Sequence, residues 1–149
     1  KSEYQNASEI QLPFKEIHEI TITDHITSAG EMIYLSPFVM DPEGENPFKL
    51  EKREYPVDFG SPLDKTYMLK ITVPDTYSIE ELPKSKALAL PGSAAKYFFN
   101  VVQNGNTINI SSTLAINRSL FGQDEYLNLR EFYNQVVAKQ AEQIVLRKK

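Results

Sequence analysis

Two histidines and no cysteine bound the chemistry open to this 149-residue chain. Without a thiol there is no cysteine nucleophile, no thiolate metal site and no disulfide. A serine, threonine or carboxylate mechanism stays open, as does a metal site, and a hydroxyl nucleophile usually needs histidine as its base. The segment holding His18, Asp24, His25 and Ser28 offers the right types for a triad or a metal site. Along an unbroken strand, however, successive side chains alternate between faces, so positions 18 and 25 point to opposite sides and the cluster needs a bend. The simpler reading sets His18 beside Ile20 on a packed face with its nitrogens satisfied, and His25 in a turn. Asp58, Asp64, Glu80 and Glu81 read as solvated charges. The chain has no glycine-rich phosphate loop, no Gly-x-Ser-x-Gly elbow and no His-Glu-x-x-His segment,. The expectation is therefore a non-enzymatic chain with no catalytic, cofactor-binding or metal-binding residues of its own.

Binding is the next possibility. Tyr55, Phe59 and Tyr67 lie in or near proline-bearing loops and are the candidates for a ligand or interface site,. A cell-wall glycan or peptide is the kind of partner such residues suggest. The absence of Trp removes the most effective flat platform for sugar stacking,. The competing structural reading puts Tyr67 on an apolar strand face and Phe59, beside Gly60, in a gap between sheets. Pro56 and Gly60 then act through the backbone, one fixing φ and the other permitting a turn.

Charge and hydropathy narrow the partners further. A net charge of −4 with scattered basic residues does not suit a nucleic-acid backbone,. Arg147, Lys148 and Lys149 form the one basic cluster and read as a solvated tail,. No apolar run approaches the roughly 18 residues of a membrane span, so no transmembrane segment is expected. Lys1-Ser2-Glu3-Tyr4 supplies neither an initiator Met nor a signal-peptide core, which suggests a piece of a longer or processed protein,. The acceptor patterns at Asn6, Asn109 and Asn117 read as incidental.

The elements that must position these residues are mostly strands. Glu16 to Thr23 and Glu31 to Leu35 have strand character, the second ending at Ser36-Pro37,. Asp41 to Pro47 is rich in turn formers and is the best candidate for an internal boundary,. Tyr67, Leu69, Ile71 and Val73 form one face of a strand that ends at Pro74-Asp75,. Asn104-Gly105 predicts a two-residue hairpin turn of the primed type. That turn sets Val101 opposite Ile108, Phe99 opposite Ile110 and Ala95 opposite Leu114, all on one face. The other face carries Asn100, Asn109, Ser111 and Thr113 beside Phe98 and Val102, and should be at least partly wet,. From about Asp124 the period changes, and Leu129, Phe132, Tyr133 and Val136 mark one amphipathic helix,. Ile144-Val145-Leu146 favours a last short strand over an extension of that helix,. The fold class is mainly β: sandwich-like, immunoglobulin-like layers with one C-terminal helix.

Several of these segments together resemble a known family. Asn46-Pro47-Phe48, Arg53 to Gly60 (Arg-Glu-Tyr-Pro-Val-Asp-Phe-Gly), Leu129 to Tyr133 (Leu-Arg-Glu-Phe-Tyr) and Glu142 to Leu146 (Glu-Gln-Ile-Val-Leu) resemble the C-terminal domain of unknown function in transglutaminase-like proteins of Bacteroidetes. The likeness runs from about Asn46 to the end. It implies a parent whose catalytic cysteine, histidine and aspartate lie upstream, none of them on this chain. It also implies an exported parent, periplasmic or outer-surface, with the upstream transglutaminase-like core as this domain's partner. The organisation expected is a single β-rich accessory domain over 1–149, its leading strands in 1–45 and its family-like part in 46–149.

Overall fold

Period-two alternation over residues 95–116 builds the hairpin around which the other elements assemble,. The computed structural model describes residues 1–149. Its strands are β1 (Ser2–Gln5), β2 (Lys15–His18), β3 (Ile26–Ala29), β4 (Met32–Leu35), β5 (Val57–Asp58), β6 (Leu63–Thr72), β7 (Tyr77–Glu81), β8 (Lys86–Ala89), β9 (Ala95–Asn104), β10 (Thr107–Ile116), β11 (Leu120–Phe121) and β12 (Ile144–Lys148). The helix α1 (Tyr126–Gln140) lies between β11 and β12. The fold is mainly β, and every strand pair in it is antiparallel. Two four-stranded sheets dominate, ordered β6-β10-β9-β8 and β3-β4-β12-β7, with the pairs β1-β2 and β11-β5 beside them. This layering is compatible with an immunoglobulin-like sandwich.

The hairpin turn is one step later than the sequence suggests. Asn104 still belongs to β9 and pairs with Thr107, so the turn residues are Gly105 and Asn106. Gly105 takes φ +56° and fills the first turn position, the glycine-first form of a primed turn,. The neighbouring strand selects this register. Asn106 accepts the Val73 N–H at 2.8 Å through its carbonyl and donates through its side chain to Asp75, which ties the turn to the end of β6. Val101 therefore faces Ile110, Phe99 faces Ser112, and Ala95 faces Ile116. The shift is two residues, so the same side chains stay on the same face.

That inner face and the helix form the core. Ala95, Tyr97 and Phe99 of β9 and Ile108, Ile110, Leu114 and Ile116 of β10 are buried, and so are Leu129, Phe132, Tyr133 and Val136 of α1. Ile144 and Leu146 of β12 join the same cluster from the second sheet. Burying the four helix side chains contributes on the order of 6–12 kcal/mol, an upper bound from extended-chain areas. The last strand forms as expected and takes an interior position, between β4 and β7. Its register against β7 shifts between Val145 and Leu146.

The turn-rich segment 41–47 makes no break in the structure. Its side of the molecule is fastened to the helix, Asn46 Nδ2 donating to the Arg130 carbonyl at 2.8 Å and to Asn134 Oδ1 at 2.7 Å. Glu43 N–H donates to Gln140 Oε1 at 2.7 Å. Phe48 then inserts edge-on against Tyr126 and Tyr133. Proline and glycine serve here to bend the chain onto α1. The strand expected over 16–23 also differs, since β2 ends at His18 where its only partner, β1, runs out.

Phe132→Ala should destabilise the chain by roughly 3–5 kcal/mol, the range for a buried aromatic. A urea melt checks this, and a loss under about 1 kcal/mol would mean that α1 is not docked on the sheet.

Candidate functional site

The histidine cluster does not assemble. His18 is exposed at the end of β2, its Nδ1 2.9 Å from Ser2 Oγ and its Nε2 3.7 Å from Glu16. The expectation of a packed His18 beside Ile20 is corrected, because Ile20 lies past the end of the strand and is 62% exposed. His25 does sit in a turn, where its carbonyl accepts the Ser36 N–H at 3.0 Å. No three His, Asp or Glu side chains converge to form a set of metal ligands.

The three aromatic candidates occupy three different environments. Phe59 is half-buried among rings, edge-on to Phe121 at 5.6 Å and stacked on Tyr133 at 6.5 Å. Tyr67 stacks on Phe38 at 5.1 Å, and its hydroxyl donates to the Pro37 carbonyl at 2.8 Å. Burial pushes its phenol pKa up. Tyr55 alone is open, 76% exposed on the loop that also carries Leu50, Lys52 and Arg53. These residues share no common surface.

Every buried side-chain nitrogen and oxygen has a hydrogen-bond partner. Ser112 Oγ donates to the Tyr97 hydroxyl at 3.3 Å within the core. Lys139 lies 6% exposed, with Nζ donating to the Lys84 carbonyl at 2.9 Å and to Glu142 at 2.6 Å. The same ammonium is 5.6 Å from the centre of the Phe99 ring. A buried cation with these partners closes the C-terminal end of α1 over the sheet, and its hydrogen bonds offset its desolvation.

Two surfaces each gather several exposed apolar side chains. One is the outer face of the large sheet, where Met68, Phe98 and Val102 are 79%, 51% and 52% exposed. Along its centre β10 presents Thr107, Asn109, Ser111 and Thr113, flanked by Met68 and Lys70 of β6 on one side and by Phe98, Asn100 and Val102 of β9 on the other. The result is a trough of about 330 Å³ whose cross-strand rows are Met68–Ser111–Asn100 and Lys70–Asn109–Val102. The alternation of β9 and β10 marks this face as partly wet. The contribution of Met68 and Lys70 requires the β6–β10 register, which no local sequence signal supplies. The second surface is residues 1–26, where Tyr4, Ile10, Leu12, Phe14, Ile17, Ile20 and Ile26 are all exposed. Tyr4 stacks on Phe14 at 6.3 Å between β1 and the start of β2, apart from the core cluster.

Comparison with known proteins identifies the fold unit. Residues 31–146 match the profile of a family described as a domain of unknown function with solved-structure structure, DUF3858. The chain belongs to this family. The DUF3858 match begins after β3 and takes in both four-stranded sheets and the helix except for that edge strand. No curated protein matches the chain. Among solved structures it is similar to a crystal structure from Parabacteroides distasonis described as a putative protease, with TM-score 0.56 and 16% identity. The likeness covers 66% of this chain and 19% of that one, so the matched two thirds of this chain corresponds to about a fifth of the larger molecule. At this identity the comparison establishes shared fold. No helix of the chain is long and apolar enough to cross a membrane.

The DUF3858 core carries three tyrosines whose ionisation burial disfavours. Tyr67 and Tyr97 are shifted upward, and Tyr133 is pushed from 10.0 to about 12 by burial and then by the nearby Glu43 carboxylate. A raised folded-state pKa means that these phenols hold their protons longer in the folded chain than in the unfolded one. Their contribution is intact below pH 10.0 and is lost as pH rises toward about 12,. Phenolate absorbance should therefore rise in two stages, the second coinciding with loss of tertiary structure, and Tyr133→Phe should move that second stage to higher pH. A single smooth titration of all eight tyrosines would contradict the burial of these rings.

Proposed function

We propose that this chain is a non-catalytic accessory domain that docks onto the rest of a longer exported protein, at the C-terminal side of a transglutaminase-like core. The observation that carries the reading is the apolar surface of residues 1–26. A run in which Ile10 and Ile20 are 103% and 62% exposed is unfavourable as a free surface, and side chains of this kind are buried in interfaces,. The family match begins at residue 31, so this surface lies outside the family core and is available to join it to something else. The recurrence of the fold as a minor part of a larger chain supports the same reading. Catalysis then belongs to the partner, and this domain positions or gates it. Interfaces inside one polypeptide resemble transient protein interfaces, so the docking energy is modest and the domain can move relative to its partner.

Calorimetric titration of this chain against the separately produced upstream core, at moderate salt, tests the proposal. Micromolar affinity is expected, and Phe14→Glu or Ile17→Glu should weaken it at least about tenfold, the equivalent of roughly 1.4 kcal/mol. Full activity in a parent truncated before Lys1, together with no heat of binding, would overturn it.

A further inference from the structure

Charge is unevenly distributed over this chain. Its net charge is −4, yet the outer face of the large sheet presents Lys70 and Lys96 against one carboxylate, Asp64. Neither lysine takes part in any ion pair of the chain. By contrast Lys65, one residue from Asp64 but on the inner side of the strand, is held by Glu43 at 3.0 Å and Asp41 at 3.2 Å. Lys96 shares the row of Ala115 with Asp64, whereas Lys70, three rows away, is the one charged side chain of the trough and is unpaired.

The polar groups on that face are also unused. Asn100 accepts a hydrogen bond from Ser85 Oγ at 3.1 Å, which leaves its two amide hydrogens free. Asn109, Ser111 and Lys70 have no side-chain partner, although they stand side by side in the trough. Their two cross-strand rows are about 7 Å apart along β10. Asn109 and Ser111 thus line the floor, and each wall pairs a polar with an apolar side chain, Lys70 with Met68 on β6 and Asn100 with Val102 on β9.

This arrangement is the reverse of a protein-docking patch, whose centre is apolar and dry and whose rim is polar. It is a shallow depression with a polar floor and walls that mix polar and apolar side chains, which suits a ligand that has hydroxyls along its edges and C–H groups on its faces,. We propose that the trough binds an acidic glycan, a run of sugar rings bearing carboxylates. Asn100, Asn109 and Ser111 would hydrogen-bond ring hydroxyls, Met68 and Val102 would pack on the C–H faces, and Lys70 would pair with a carboxylate. The proposal is independent of the docking reading, since the trough and residues 1–26 share no side chain.

The test uses the full isotopically labelled chain and a short oligomer of galacturonic acid as the probe, with a neutral galactose oligomer as the control. Amide shift changes should cluster at Lys70, Asn100, Val102, Asn109 and Ser111, and should weaken as salt is added. Lys70→Gln and Asn109→Ala are surface substitutions that should leave the thermal midpoint unchanged and lower the affinity by about fivefold or more. Equal binding of acidic and neutral oligomers would overturn the acidic assignment. No shifts at millimolar oligomer, or shifts confined to the Leu50–Tyr55 loop, would overturn the site. Concentration-dependent line broadening relieved by Met68→Glu, without glycan shifts, would instead make this face a contact between copies and also overturn the proposal.

Discussion

Strand β10 is paired along all ten of its residues on both sides, to β6 and to β9, and that double pairing is the constraint on which the rest depends. A strand with two full-length partners cannot slip by one residue without turning its whole apolar set to the wrong face. Once it is placed, Ile108, Ile110, Leu114 and Ile116 point inward, and the polar Asn109, Ser111 and Thr113 must point outward. The core and the trough are two sides of the same decision. The buried Ser112 follows from it too, facing inward between Phe99 and Tyr67 and satisfied by the hydroxyl of Tyr97.

The helix converts that inner face into a closed core, and its orientation is held at three places. At its start, Glu125 receives the Gly122 N–H at 2.8 Å and pairs with Arg118, whose guanidinium lies 4.4 Å from the Phe121 ring centre. In the middle, Asn46 bonds to Arg130 and Asn134, and Phe48 fits between Tyr126 and Tyr133. At the end, Lys139 reaches the carbonyl of Lys84. An isolated helix of this length is marginal in water, so these contacts and the buried face decide its stability more than its intrinsic propensity does.

Much of this is readable from local periodicity. The i, i+3, i+4, i+7 spacing of Leu129, Phe132, Tyr133 and Val136 needs no tertiary knowledge, and neither does the alternation through Phe99 and Ile110. Where sequence and structure differ, the deciding interaction is remote. Asn104-Gly105 is the stronger local turn signal, but the tie between Asn106 and the end of β6 moves the turn by one residue. Asp41 to Pro47 has the composition of a linker, and its bonds to a helix more than eighty residues away fasten it to the fold. The candidate surface is half legible: β9 and β10 declare a wet face, while Met68 and Lys70 join it through a long-range register. Tyr55, Phe59 and Tyr67 share a proline-rich neighbourhood, which reports loops but not which way a ring will point.

The interior place of β12 has a consequence for the order of assembly. β4 and β7 are neighbours of β12 and not of each other, so the second sheet stays in two pieces until residues 144–148 arrive. During synthesis the β3–β4 hairpin and β7 emerge long before that strand does, each with an open hydrogen-bonding edge. Such edges invite pairing with other nascent chains. Completion of this sheet therefore rests on β12 acting as a keystone, and the period of greatest exposure to misassembly is the interval before residues 144–148 emerge.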